Sequence, residues 1–84
     1  MHETTIRDYI GYAKELTAEQ VRKLAPGTHI IRHNFDRYGA HQTRECSVVQ
    51  SGRSKVLAYT DTDFLTKTMK IAKESDRMCY TEVK

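Results

Sequence analysis

The 84-residue sequence contains little cysteine, no glycine-rich stretch and no long apolar run, and each shortage excludes a class of protein. No apolar segment approaches the roughly 20 residues of a membrane-spanning helix. The four glycines are scattered, so the sequence has no phosphate-binding loop of the kind that nucleotide-binding proteins use. The amino terminus lacks the basic-then-apolar order of a secretory signal. We therefore expect a soluble, cytoplasmic protein that carries no cofactor and contacts no membrane.

The two cysteines, Cys46 and Cys79, could pair with each other, but without a secretory signal they fit reduced thiols better than a disulfide framework. In a cytoplasmic protein both thiols are expected to be reduced. Either thiol could act as a nucleophile if His33 or His41 reached it across a sheet. Cysteine is, however, among the most frequently buried residues. We expect both cysteines to fill the core, and we predict no catalytic residue.

Three histidines lie in the middle of the sequence, and the spacing of His29 and His33 places both on one face of a strand. With His41 and Cys46 they could contribute to a metal site. No recognised zinc spacing is completed, since the sequence has no C-x-x-C and no H-x-x-x-H on a predicted helix. We therefore predict no metal site and interpret these histidines as surface residues of a half-exposed strand.

Apolar residues make up 38% of the sequence and charged residues 30%, a composition typical of a small domain with a high ratio of surface to volume. A chain of this length has room for one hydrophobic core. We expect a single domain over residues 1–84, without a large enclosed pocket.

Helical spacing of apolar residues predicts three helices. The first covers residues 5–15. The second begins at a capping box over residues 17–20 and ends at residues 26–27. The third begins at residue 61 or 62. Its apolar stripe consists of Phe64, Leu65, Thr68, Ile71 and Ala72, and we expect Phe64, Leu65 and Ile71 in the core.

Segments rich in β-branched and aromatic residues predict strands. They cover residues 28–35, about 44–50 and about 54–59, and the last two form a hairpin across Ser51 and Gly52. The tail, residues 78–83, has the composition of an additional edge strand. The predicted order is α-α-β-β-β-α with a possible final β. It indicates a small α+β fold, in which helices cover one face of a three- or four-stranded, mainly antiparallel sheet.

The net charge of +3 is confined to one segment of the chain. Residues 1–27 contain four basic and four acidic residues, and residues 61–84 contain five of each. Residues 28–60 contain five basic residues and two acidic ones. Segregated positive charge favours acidic partners. The residues expected to contact a partner are Arg32, Arg37, Tyr38, His41, Arg44, Arg53 and Lys55.

Two functions are alternatives for this basic segment. Its interleaved aromatic residues fit a module that binds RNA or DNA, in which cations contact phosphates and aromatic rings stack on bases. Its arginines, together with His33, Tyr38 and His41, also supply the residue types of a small metal-free ribonuclease. No motif of such an enzyme is present.

The lack of a convergent catalytic set and of a cofactor motif favours a third function, a non-enzymatic protein-binding regulator or inhibitor. In size and composition the chain resembles the small accessory proteins of phages and other mobile elements, which often cover a site on a larger host protein. We therefore expect the basic strand region to bind a larger protein with an acidic or nucleic-acid-binding surface.

Overall fold

An antiparallel sheet of six strands forms most of the structure, a computed structural model that describes residues 4–60 and 67–83. The strands are β1 (Glu15–Leu16), β2 (His29–Phe35), β3 (His41–Ser51), β4 (Ser54–Tyr59), β5 (Thr68–Lys70) and β6 (Met78–Glu82). Their order across the sheet is β1-β6-β2-β3-β4-β5. A single 3-10 turn (Ile6–Tyr9) and α1 (Ala18–Arg22) are the helical segments of the described chain. In the described residues, no helix is long and apolar enough to cross a membrane.

The predicted α+β class, with helices covering one face, is wrong, since the longest helix in the described chain has five residues. The first predicted helix, over residues 5–15, is reduced to the 3-10 turn. Gly11 then adopts a φ of 61°, which favours glycine, and the chain enters β1 and pairs with β6. Of the apolar residues that suggested a helix over residues 5–15, Ile6 is the one that is fully buried. A single turn is enough to bury it.

The third predicted helix is also wrong in its described part. Thr68–Lys70 form β5, which pairs with the outer edge of β4, and the residues after it are not helical. The backbone groups of β4 require hydrogen-bond partners on that edge, and this pairing overrides the helical spacing. Ile71 is buried, as predicted, but Thr68 and Ala72 of the same apolar stripe are exposed. Phe64 and Leu65 lie outside the described residues.

The predicted strands are confirmed in the middle of the chain, with a tight β3–β4 hairpin in which Gly52 has a φ of 59°. The capping box of the second helix is also confirmed. The Gln20 backbone N–H donates to Thr17 Oγ1 at 3.1 Å, and the Thr17 backbone N–H donates to Gln20 Oε1 at 2.8 Å. The tail forms β6, but this strand lies inside the sheet between β1 and β2 and not at its edge.

The main core lies on one face of the sheet, beneath α1. Successive residues of a strand point to opposite faces, so alternate residues of the central strands reach this core. Its fully buried members include Ile30, Leu57 and Tyr80. Ala18 and Val21 of α1 pack against them. This face therefore supplies most of the apolar burial that holds the sheet together.

The 3-10 turn contacts β2 and β6 and buries Ile6. The register pairs Cys79 with His33 and Cys46 with Ile30. Because His33 and Ile30 are an odd number of residues apart, the two cysteines point to opposite faces of the sheet. Both are free and buried, and the sheet between them prevents a bond within the chain.

Candidate partner-binding surface

Five of the predicted contact residues lie toward one end of the sheet. Arg32 and Arg44 are directly opposite each other on β2 and β3. Arg37 and Tyr38 lie in the turn that joins these strands, and His41 begins β3. By strand alternation, His41 points to the face opposite that of Arg32 and Arg44.

The other two predicted contact residues lie at the far end of the same sheet. Arg53 is in the β3–β4 turn, and Lys55 follows it on β4. Between the two turns, the 11 residues of β3 extend over roughly 33 Å. The basic segment is therefore divided between two ends and two faces, and it does not form one patch.

A cleft of about 280 Å³ opens beside the β2–β3 turn. Its lining residues are Thr4, Tyr9, Phe35, Gly39 and Arg77. The rings of Tyr9 and Phe35 meet edge to face, with their centroids 5.5 Å apart. The Arg77 guanidinium carbon lies 5.3 Å from the centroid of the Phe35 ring. The cleft thus combines two aromatic rings with a cation.

The turn that borders this cleft is held by Asp36, whose Oδ1 accepts hydrogen bonds from the backbone N–H groups of Tyr38 and Ala40 at 2.8 and 2.9 Å. Tyr38 is 85% exposed and Arg37 is also exposed. Within residues 4–60 and 67–83, Arg37 makes no ion pair. We define the hairpin-end surface as Tyr9, Phe35, Arg37, Tyr38 and Arg77.

Arg32 and Arg44 are half-buried on the opposite face. Arg32 Nη1 donates to Asn34 Oδ1 at 2.9 Å. The Arg44 guanidinium carbon lies 3.8 Å from the centroid of the Tyr59 ring. Like charges directly opposite each other on neighbouring strands repel, and these contacts hold the two groups in fixed directions.

A pair of histidines lies next to the cleft and contacts its residue Tyr9. His33 Nδ1 and His41 Nε2 are 3.0 Å apart, and His33 Nε2 is 2.8 Å from Thr81 Oγ1. The ring of His41 also contacts Tyr9, with centroids 4.9 Å apart. One ring nitrogen of the pair must carry a proton and the other must not, so protonation of both rings would break their hydrogen bond. His33 is 6% exposed, so its interpretation as a surface residue is wrong. It is a buried residue that contacts His41, and His41 in turn contacts Tyr9.

The free energy of unfolding is expected to fall as the pH is lowered below neutrality. Burial, and then the charge of His41, lower the pKa of His33 from its ordinary value of 6.5. The unfolded chain therefore binds this proton at a higher pH than the folded protein does. Stability from this group is therefore present above the unfolded pKa of about 6.5 and decreases as the pH falls below it.

Urea unfolding between about pH 5 and 7.5 measures this dependence, in the range where histidine titrates. The native chain should lose stability more steeply than the His33→Gln variant. Hydrogen bonds lower the pKa of Glu74 from its ordinary value of 4.5. Measurements are kept above pH 4.5 so that protonation of Glu74 does not contribute to the loss of stability. Parallel curves for the two proteins would show that His33 is not the group responsible.

The described residues do not assemble the catalytic sets that the sequence could have supplied. Burial raises the pKa of the Cys79 thiol to about 11, so it stays protonated at neutral pH. The ribonuclease set is divided, since His33 and His41 lie on the face opposite that of Arg32 and Arg44.

The three histidines of the middle segment do not share one site, because His33 pairs with His41 whereas His29 contacts Glu45. His29 Nδ1 lies 3.1 Å from Glu45 Oε2. In the part of the chain that the structure describes, no three His, Cys, Asp or Glu side chains are grouped to hold a metal ion.

Sequence reasoning missed two residues of the hairpin-end surface. The sequence places Tyr9 in a predicted helix and Arg77 in a segment whose charges balance, whereas Phe35 is one of the aromatic residues of the basic segment. For Tyr9 the local sequence did contain a signal, because Gly11 two residues later indicates that the helix ends early. Arg77 reaches Phe35 through pairing of distant segments, in which the Phe35 backbone N–H donates to the Arg77 carbonyl at 3.3 Å.

No family model, curated protein or solved structure matches this chain.

Proposed function

We propose that this chain is a small non-enzymatic regulator or inhibitor that binds a larger protein through the hairpin-end surface. The observation that carries the proposal is the cleft beside the β2–β3 turn, where Tyr9, Phe35 and Arg77 meet, with the exposed Arg37 and Tyr38 in the turn next to it. Tyrosine and arginine are enriched among the residues that dominate the binding energy of protein interfaces. Tyrosine gives a large contact area at a low cost in conformational entropy.

The charge of this surface favours an acidic partner. Arg37 and Arg77 are both exposed, while the neighbouring carboxylate of Asp36 accepts hydrogen bonds within the turn. Guanidinium groups bind carboxylates through two parallel hydrogen bonds. The surface therefore suits a partner with an apolar or aromatic group that enters the cleft. Carboxylates next to that group would bind Arg37 and Arg77.

The distribution of cations favours a protein over a nucleic acid. A nucleic-acid interface needs cations that follow the backbone over several phosphates. Here Arg77 belongs to the hairpin-end surface, Arg32 and Arg44 belong to the opposite face, and Arg53 is at the far end of β3. A partner that contacts one end of the sheet does not require a continuous basic path.

Capture of partners from a lysate of the source cells tests the proposal, with and without nuclease digestion. We expect one protein to stay bound after digestion and to bind the purified chain directly in calorimetry. Its affinity should fall as salt rises, because the screening length is only about 8–10 Å near physiological ionic strength. Capture of nucleic acid alone would contradict the proposal. Degradation of added RNA would identify an enzyme instead.

A further inference from the structure

A chain of direct contacts joins the buried part of β6 to the hairpin-end surface. His33 Nε2 lies 2.8 Å from Thr81 Oγ1, and His33 Nδ1 lies 3.0 Å from His41 Nε2. The His41 ring contacts the ring of Tyr9, which in turn meets Phe35 edge to face. A change at His33 and His41, which we call the histidine pair, can therefore reach the cleft through side chains that touch.

The two rings of the histidine pair meet edge to edge. Their planes are parallel to within 4°, and their centroids are 5.3 Å apart. This separation is accounted for by the distance between the two facing nitrogens plus the distance of each nitrogen from the centre of its own ring. His33 Nδ1 and His41 Nε2 therefore lie on the line that joins the rings and point at each other. A tetrahedral metal ion needs ligand nitrogens that converge on a point beside that line, so the arrangement fits one shared proton.

The histidine pair can take up one proton without losing its hydrogen bond, but not two. A single added proton goes to an outer nitrogen and leaves one facing nitrogen as the acceptor. A second proton places N–H groups on both facing nitrogens, so neither can accept. Two positive rings whose nitrogens are 3.0 Å apart also repel each other, the more strongly because His33 is buried. The hydrogen bond between the rings must then break.

The carboxylates on the elements around the histidine pair have other partners. Glu15 of β1 forms an ion pair with Arg7 at 2.9 Å, and Glu45 of β3 lies 3.1 Å from His29 Nδ1. The same holds for Asp8, Asp36, Asp76 and Glu82, which contact Thr5, Tyr38, Arg7 and Lys14, respectively. Within the described residues, neither ring of the pair contacts a carboxylate that would stabilise a second charge.

The other titratable neighbours do not compensate a second charge either. Cys79 lies opposite His33 on β6, and burial raises the pKa of its thiol to about 11, so it stays neutral. Arg77 adds a positive charge beside Phe35. Burial, and then the charge of His41, lower the pKa of His33 from its ordinary value of 6.5. The second proton is therefore bound only in acidic solution, below about pH 6.5.

His41 is the ring of the pair that can move. His33 is 6% exposed and is also held by Thr81 on its other side. His41 is the first residue of β3 and is only half-buried. Rotation of its side chain brings the charged ring into water, where a charge is less costly. Tyr9, which is 47% exposed in a turn of four residues, then loses the ring on which it rests.

We propose that the histidine pair makes the hairpin-end surface sensitive to pH. When both rings are protonated, His41 turns outward, Tyr9 leaves Phe35, and the protein partner is released. The last step rests on the proposed function, whereas the change at Tyr9 occurs in the free chain. An outward imidazolium also attracts an acidic partner, but an exposed charge contributes little to affinity and a displaced tyrosine costs more.

NMR of the free chain at about pH 7.5 and 5 tests the change at Tyr9, in the range where histidine titrates. We expect the nuclear Overhauser effect between the Tyr9 and Phe35 rings to be present at the higher pH and lost at the lower. His41→Gln should keep it at both, because its amide bonds to His33 without taking up a proton. The matched control is His29→Gln, which removes an exposed histidine from the other end of β2 and should respond as the native chain does.

An unchanged contact between Tyr9 and Phe35 in the native chain, or an equal loss in His41→Gln, would overturn the proposal. Loss of the circular dichroism of the sheet over the same pH range would show unfolding in place of a local change, and it would overturn the proposal too.

Calorimetry with the purified partner at constant ionic strength tests the release. The affinities of the native chain and of His29→Gln should fall at least about tenfold between the two pH values, the effect of one displaced tyrosine. His41→Gln should stay within about threefold. Equal decreases in all three proteins would assign the pH dependence to the partner and overturn this step. A ring contact that switches in the free chain, with no protein captured, would support the pH-dependent change and refute only the proposed function.

Discussion

Replacing Arg37 and Arg77 together by glutamate is expected to weaken binding of the protein partner at least about a hundredfold. Each substitution removes a cation from the hairpin-end surface and places a carboxylate where we expect carboxylates of the partner. Like charges brought together in an interface cost several kcal/mol, so the loss exceeds that of simple truncation. Calorimetry or surface plasmon resonance with the purified partner measures the change.

The fold should survive this double substitution because both side chains are exposed and neither belongs to the core. Arg44 is left in place because its guanidinium stacks on Tyr59. An unchanged melting temperature verifies the fold. The matched control combines Arg53→Glu with Lys73→Glu, which changes the net charge by the same amount at exposed positions outside the hairpin-end surface.

The control variant should bind with nearly native affinity. Equal weakening in both variants would show that net charge, and not this surface, governs the association. Native affinity in the Arg37 and Arg77 variant would place the interface elsewhere on the chain.

Replacing Leu57 by alanine is expected to lower the free energy of unfolding by about 2–5 kcal/mol. Leu57 is fully buried on β4, and its register neighbours on β3 and β5 are Val48 and Met69. Truncation removes apolar contacts and leaves a cavity between three strands that cannot close around it. A domain of this size has roughly 4–13 kcal/mol of stability in total, so the loss is a large fraction.

The adjacent substitution Val56→Ala provides the control for this prediction. Val56 is half-buried and points to the opposite face of β4, so its truncation should cost about 1 kcal/mol or less. Urea unfolding monitored by circular dichroism gives both values. Equal losses at the two positions would mean that the core does not lie on the face assigned to Leu57.

The strands could be predicted because their signals are local. β-branched and aromatic residues determine the extended backbone of β2, and Gly52 allows the tight turn between β3 and β4. The start of α1 is equally local, since its capping box joins Thr17 to Gln20.

The two wrong helices share a physical cause. Residues 5–15 and the described part of the third segment have helical apolar spacing, yet each includes a short stretch that pairs with another strand. β1 pairs with β6 at the opposite end of the chain, and β5 pairs with the edge of β4. Short edge strands carry too few residues to show an alternating pattern, so nothing in their own sequence separates them from one face of a helix.

By itself, the sequence determined that positive charge is concentrated in residues 28–60 and that no cofactor motif accompanies it. Only the tertiary structure decided which cations meet. The length of β3 carries Arg53 away from Arg37, while pairing of β2 with β6 brings Arg77 from a charge-balanced segment to the ring of Phe35. Counting charges along the chain cannot detect this, because backbone hydrogen bonds between distant segments set the neighbours. Strand alternation then decides the face on which each side chain lies.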